Sequence, residues 1–303
     1  MQTVSFSSPE VAPSWTVGDL TVHRVDEVSL PAPTGRWLLP GATADVVARH
    51  GWLRPDFADQ DGTLRLASHS FAFSAGGLRV VVDTGIGNGK PRANPAWHDL
   101  RTDYLERLTA AGFPPESVDL VILTHLHTDH VGWNTRATAD GWVPTFPNAR
   151  YLTSRTEREF WAGYAMDEAR AQMFRDSVHP VEGAGLLDLV HLPAEGRQVA
   201  DGLRLLPTPG HTPGHLAVEL TSRGYRALIT GDCVHHPVQL PEPGIGSCVD
   251  IDPGQSEATR RSLFASLADT GTLVLGTHFP PPTAGHIHVR ADGGYGLAPV
   301  PPA

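Results

Sequence analysis

The sequence predicts an α/β fold in which two sheets carry helices on their outer faces. Three observations support it. The segments run strands, helix, strand, helices, strands, helix, strand, an order that layers helices outside two sheets. The 31 glycines and 27 prolines require many turns and argue against a helical bundle. Hydrophobic residues make up 40% of the chain and charged residues 18%, so a sizeable core is available and disorder does not dominate. At 303 residues the chain fits one large α/β unit, and residues 1–303 are read as a single domain.

The elements follow in order. Residues 15–30 alternate apolar and polar side chains through Leu20, Val22, Val25 and Val28, as strands of an antiparallel sheet do. Residues 31–60 mix Pro31, Pro33, Pro40 and Pro55 with Trp37, Leu38, Leu39, Trp52 and Phe57 and read as a long irregular loop segment. Residues 63–83 supply two more strands, ending in the apolar run from Leu78 to Asp83. A helix is expected over 98–111, with Leu100, Tyr104, Leu105 and Leu108 on one face and Gly112 beyond its C-terminus. Val118 to Leu123 is a short buried strand. Residues 154–178 read as one or two helices with Ser154 as N-cap, and 154–180 as a helical insertion near the site. Strands follow near 188–192, 203–207, 215–221 and 225–230, then a helix over 256–268 and the strand Leu273-Val274-Leu275.

Composition excludes several function classes. The formal net charge is −10, and no stretch concentrates Lys and Arg as a nucleic-acid surface requires. A small neutral or apolar substrate is easier to accept than a polyanion. Cys233 and Cys248 form neither a disulfide framework nor a zinc knuckle. Met1 to Ser14 lack a basic region followed by an apolar one, and no apolar run reaches the roughly 20 residues of a membrane helix. The expectation is a cytoplasmic protein with no membrane or nucleic-acid partner.

The strongest chemical signal is Thr124-His125-Leu126-His127-Thr128-Asp129-His130, directly after an apolar strand. In extended backbone, residues two apart point the same way, so His125 and His127 can grip one cation. A turn after Thr128 would bring Asp129 and His130 round to a second. Imidazole with carboxylate suits zinc, and also iron, manganese or cobalt. A lone histidine-rich turn is ordinary surface. Three further segments change that reading, because each ends an apolar strand with a candidate ligand: Gly210-His211, Gly231-Asp232 and Gly276-Thr277-His278.

His-x-His-x-Asp-His at 125–130, Gly-His-Thr-x-Gly-His at 210–215, Gly231-Asp232 and the late His278 together resemble the metallo-β-lactamase superfamily. The motifs stand in the expected order, and with Val82-Asp83-Thr84-Gly85 the likeness covers most of the chain. The resemblance implies a four-layer αββα sandwich with two divalent metals, zinc foremost, at one edge of the sheets. It implies His125, His127 and His211 on the first metal, Asp129, His130 and His278 on the second, and Asp232 bridging. The β-lactamases of the superfamily use cysteine or serine near the Asp232 position, so hydrolysis of an ester, lactone or phosphoester is expected rather than of a penicillin. The chain is similar to the branch of quorum-quenching lactonases and organophosphate hydrolases.

Two such metals can share a water and lower its pKa towards about 7, giving a bridging hydroxide that opens a lactone or cleaves an ester. Asp129 and Asp232 can hold that hydroxide and pass a proton to the leaving oxygen. In the lactonases that resemble this chain a tyrosine near the His235 offset contacts the substrate carbonyl, and His235 can donate a similar hydrogen bond. Trp37, Leu39, Trp133 and Phe279 are the expected pocket wall, and the apolar 31–60 segment could equally seal a homodimer. The alternatives are an organophosphate or phosphodiester hydrolase and an inactive metal-binding scaffold.

Overall fold

A computed structural model describes residues 12–303; residues 1–11, most of the stretch read for a leader, lie outside the described residues. The chain opens with strands β1 (Ser14–Val17), β2 (Leu20–Ser29), β3 (Ala67–Ala75), β4 (Leu78–Val82) and β5 (Leu120–Ile122). A separate hairpin, β6 (Thr135–Thr138) and β7 (Gly141–Pro144), precedes β8 (Arg150–Ser154) and β9 (Leu187–Val190). These build a seven-stranded sheet in the order β1-β2-β3-β4-β5-β8-β9, antiparallel as far as β4 and parallel from β4 to β9.

The second sheet takes β10 (Arg197–Ala200), β11 (Leu203–Pro207), β12 (Leu216–Ser222), β13 (Tyr225–Ile229), β14 (Leu273–Leu275), β15 (Ala284–Val289) and β16 (Tyr295–Pro299), side by side in chain order. Only β13 and β14 run parallel.

Alternation along the strands explains the layers. Val80, Val82, Leu120 and Ile122 face the second sheet, where they meet Leu205, Val218, Ala227, Ile229 and Leu275. The residues between them, Val81 and Val121, point outward into a cluster with Tyr104, Leu108, Trp161 and Phe174. Leu228 and Val274 do the same on the other side, against Phe264, Leu267, Leu38 and Phe57. Strands apolar on both faces are what a sheet covered on both sides needs. The helices doing the covering are α1 (Ala32–Leu38), α2 (Ala44–Arg49), α3 (Tyr104–Ala110), α4 (Arg155–Gly163), α5 (Glu168–Met173), α6 (His179–Gly183) and α7 (Pro253–Leu267). The result is the αββα arrangement.

Two expectations change. Residues 31–60 are not an irregular loop: α1, α2 and a 3-10 turn at Gly51–Leu53 pack Leu38, Leu39, Val47, Leu53 and Phe57 onto the second sheet. Pro33 sits in the first turn of α1, where a missing N–H costs nothing. The helix expected from residue 98 starts at Tyr104, because Asp99 takes a left-handed φ of 52° and its N–H bonds back to Lys90 O. The hairpin β15–β16 adds two strands beyond those expected from the sequence. The 154–180 region is helical, with Ser154 Oγ accepting the Glu157 N–H at 3.0 Å, and a π turn at Phe174–Val178 joins α5 to α6. Among the described residues no helix is long and apolar enough to cross a membrane, and both cysteines are free.

Candidate metal centre

The site lies where β4, β5, β11, β13 and β14 end. Asp83, the residue after β4, adopts φ 56°, a left-handed conformation that Asp tolerates better than most residues. That turn aims its carboxylate across to the next strand. It accepts Thr124 N–H at 2.8 Å, Thr124 Oγ–H at 2.9 Å and His130 Nδ1–H at 2.9 Å. Thr124 Oγ1 in turn lies 3.0 Å from His125 Nδ1. One carboxylate thus sets two imidazoles. At the end of β13, Gly231 has φ +53°, and a Cβ there would stand 2.6 Å from the His215 ring. Only glycine lets His215 Nε2 accept the Asp232 N–H at 2.8 Å.

The sequence-predicted ligands converge. Ligand atoms of His125, His127 and His211 lie within 4.8 Å of one another, and so do those of Asp129, His130 and His278. Asp232 stands between the groups. Its Oδ1 is 3.3 Å from His130 Nε2 and 3.2 Å from His278 Nε2; its Oδ2 is 3.4 Å from His211 Nε2 and 3.8 Å from His125 Nε2. Asp129 closes the second group, 3.7 Å from His130 and 3.6 Å from His278. His235 Nε2 is 3.3 Å from Asp232 Oδ2 and belongs to a third group with His211, so it sits nearer ligand position than the sequence suggested.

The residues fit cations. Nε2 of His125, His127 and His130 and Oδ1 of Asp232 are buried with no hydrogen-bond partner. Each buried unsatisfied polar atom costs about 1–3 kcal/mol. Several converging on one space are a receptor for positive charge. The far nitrogens are already committed: His211 Nδ1 donates to Asp250 at 2.8 Å and His278 Nδ1 to Ala67 O at 2.9 Å. This fixes tautomer and ring orientation as metal-ligating imidazoles require. Burial, then neighbouring imidazoles, hold His125 and His127 well below the ordinary histidine range, so both stay neutral. Burial opposes the charged form of His278 too, but Asp232 and Asp129 outweigh it and raise its pKa to about 9. Burial likewise disfavours ionised Asp232, and the imidazoles around it, His130 first, win and keep it charged.

Two buried glutamates hold the loops in register, and neither stood out in the sequence. Glu157 in α4 accepts from Leu126 N at 3.0 Å, Trp161 Nε1 at 2.7 Å, Thr212 Oγ1 at 2.6 Å and Gly214 N at 3.2 Å. It ties the 125–130 loop to the 210–215 loop. Glu27 in β2 accepts from Ile86 N at 2.7 Å, Gly87 N at 2.9 Å and Trp133 Nε1 at 2.9 Å. Asp250 was also missed, since it lies 39 residues from His211 in a stretch without pattern. The one local signal was Ser154-x-x-Glu157 at the start of α4, a capping-box spacing.

Beside these ligand groups a cleft of about 150 Å³ is floored by Asp129, Asp232, His235 and His278 and walled by Trp37, Leu38, Trp97 and Arg170. Of the expected wall, Trp37 is there. The other three are elsewhere. Leu39 is fully buried in the core outside the second sheet. Trp133 is turned inward by its bond to Glu27 and stacks on Tyr104 at 5.5 Å. Phe279 folds back over Gly276, where its ring occupies the room a Cβ would need, and packs on Phe57.

An αββα sandwich with histidines and aspartates gathered at one sheet edge defines a metal-binding α/β protein. The family model described as the metallo-beta-lactamase superfamily matches residues 64–278, and the chain belongs to that superfamily. An N-acyl homoserine lactonase of Bacillus cereus is 29% identical over 127 residues, 41% of this chain and 42% of the relative, so the match spans under half of that protein. The solved structure of hydrolase AbOPH is 26% identical with a TM-score of 0.75, covering 96% of this chain and 98% of the other. AidC, a dizinc quorum-quenching lactonase, shares the fold at a TM-score of 0.77 and 21% identity, covering 97% and 99% of the two chains.

Proposed function

We propose that the protein is a metal-dependent hydrolase that opens a lactone or cleaves a carboxylic ester at a two-cation site. The observation that carries this reading is the Asp232 carboxylate, whose two oxygens face different histidine groups. The lactonase named among the relatives points to the same bond class. His125, His127 and His211 would hold one cation, Asp129, His130 and His278 the other, with Asp232 reaching both. When bound, a zinc pair supplies Lewis acidity to the substrate carbonyl and an acidified water.

The chain's own residues do the rest. Asp129 is the more exposed of the two floor carboxylates and opens onto the cleft, placed to take a proton from the attacking water and return it to the leaving oxygen. His235 lines the cleft floor with both ring nitrogens buried and lacking a hydrogen-bond partner, and would offer an N–H to the carbonyl oxygen as charge develops there. Trp37, Leu38 and Trp97 exclude water from the reacting bond. A panel of lactones, aryl esters and phosphotriesters, run alongside metal analysis, tests the reading. Turnover of the first two classes with about two ions per chain is expected; phosphotriester turnover alone would overturn it. His235→Phe should lower kcat about a hundredfold with metal content intact, and an unchanged rate removes His235 from the chemistry.

A further inference from the structure

Two arginines reach the groove of about 700 Å³ beside the metal cleft, and they differ sharply. Arg92 is spent. Its guanidinium pairs with both oxygens of Asp176 at 2.8 and 2.9 Å and bonds Ser177 at 3.1 Å. Arg170 borders the groove and the metal cleft together, yet its Nη1 is buried with no hydrogen-bond partner; Asp167 and Glu157 favour its charge through space, but no ion pair is seen among the described residues. The acid on the same turn, Asp167, accepts the Arg170 backbone N–H at 2.8 Å as the N-cap of α5. What holds Arg170 is aromatic: its guanidinium lies 4.4 Å from the Trp161 ring and 5.9 Å from Tyr164. Trp161 also meets His127 edge-on, at 5.6 Å between centroids. Arg170 is therefore one indole away from the first ligand group.

Resting on the hydrolase reading above, we propose that Arg170 is a specificity-determining residue that binds a carboxylate carried by the substrate, a few bonds from the scissile carbonyl. A half-buried guanidinium stays protonated and is costly without a counter-ion. Stacking on an indole fixes its plane and leaves its edge free, and that edge matches a carboxylate with two parallel N–H···O bonds. The carbon chain joining carboxylate to carbonyl lies between Trp37 and Trp97, which line both spaces. The substrate is then neutral at the bond that breaks and anionic at one end, a refinement of the neutral substrate that the overall charge suggested.

The test uses metal-loaded protein and para-nitrophenyl hemiesters of straight-chain diacids, each paired with the uncharged alkanoate ester of equal length. Wild type should prefer the charged member of the best pair by about 10- to 100-fold in kcat/KM, the worth of a charge-assisted bidentate bond. Arg170→Met, which keeps the stem on Trp161, should bring that ratio close to one, and Arg170→Lys should restore part of it. Raising salt should lower the ratio in wild type and not in Arg170→Met. A wild-type ratio near one overturns the proposal while leaving the hydrolase reading intact. So does a ratio that survives in Arg170→Met. Calorimetric titration with octanoate reads Arg170 without turnover: at least about tenfold weaker binding by Arg170→Met is expected, and equal binding overturns the assignment even if no ester is cleaved.

Discussion

The floor of the cleft and its walls are built on opposite terms. On the floor His125, His130, His211 and His278 each have the nitrogen away from Asp232 tied, to Thr124, Asp83, Asp250 and the Ala67 carbonyl. The 125–130 and 210–215 loops are clamped by Glu157, and the ligand-bearing loops hang from buried strand ends. On the wall, Trp37 stands on a seven-residue helix and is 58% exposed, and the Arg170 guanidinium rests on the Trp161 and Tyr164 rings without an ion pair. Chemistry demands fixed geometry and receives an over-determined scaffold. Recognition sits on short elements whose side chains can change without disturbing that scaffold.

The largest effect belongs to Asp232→Ala. Its carboxylate is the contact between the two ligand groups, and removal leaves His130 and His278 facing a void. Loss of a residue merely orienting a ligand costs 10–100-fold in affinity or activity, so loss of the shared carboxylate should cost at least about a hundredfold in kcat. Metal analysis should fall towards one ion per chain; full occupancy with full activity would refute the bridging position. Glu157→Ala comes next. It strands the Leu126 and Gly214 N–H groups, the Trp161 indole and the Thr212 hydroxyl in the interior. A loss of about 3–5 kcal/mol in unfolding free energy is expected, with metal affinity down about 10–100-fold. Denaturant unfolding and metal titration read both, and a stability loss without weakened metal binding would show that the clamp does not serve the floor.

The same division explains what the sequence made legible. His125, His127, Asp129, His130, His211, Asp232 and His278 could be read because each follows an apolar run that declares a strand, and a strand end has one place to be. Glu157 and Asp250 could not, since their partners lie 31 and 39 residues away, and only the fold brings them together. On the wall, Trp133 and Phe279 misled because an aromatic side chain near a motif serves a core as readily as a cleft. Their direction is set by Glu27 and Gly276, which composition does not flag. The 31–60 segment misled through its prolines, of which Pro31 and Pro33 open α1 instead of forbidding it.

His236 joins the two parts, and its effect is on stability. Its Nε2 donates to Phe57 O, at the end of the wall segment, at 2.8 Å, and its Nδ1 accepts the Val238 N–H at 3.0 Å. Both roles need the neutral ring, and burial pushes its pKa down to about 4. A folded-state pKa below the unfolded value of about 6.5 means that stability is full above pH 6.5 and drains away as pH falls towards 4. Wild type should lose on the order of 3 kcal/mol more than His236→Gln across that window. Unfolding curves measured from pH 7 downward decide it, and parallel curves for the two proteins would count against a neutral His236 joining wall to floor.

The smallest effect is the most informative about the wall. Trp37→Ala removes a mostly exposed side chain, so unfolding free energy should move by less than about 0.5 kcal/mol. Trp37 nevertheless borders both the metal cleft and the groove beside it. Substrates with an apolar chain should lose about 1–3 kcal/mol of contact, seen as a KM raised roughly five- to 150-fold, while short-chain esters lose far less. Because the indole touches ground state and transition state alike, kcat should hold. A fall in kcat or in bound metal would mean that the floor depends on the wall, and the separation of chemistry from recognition would not describe this protein.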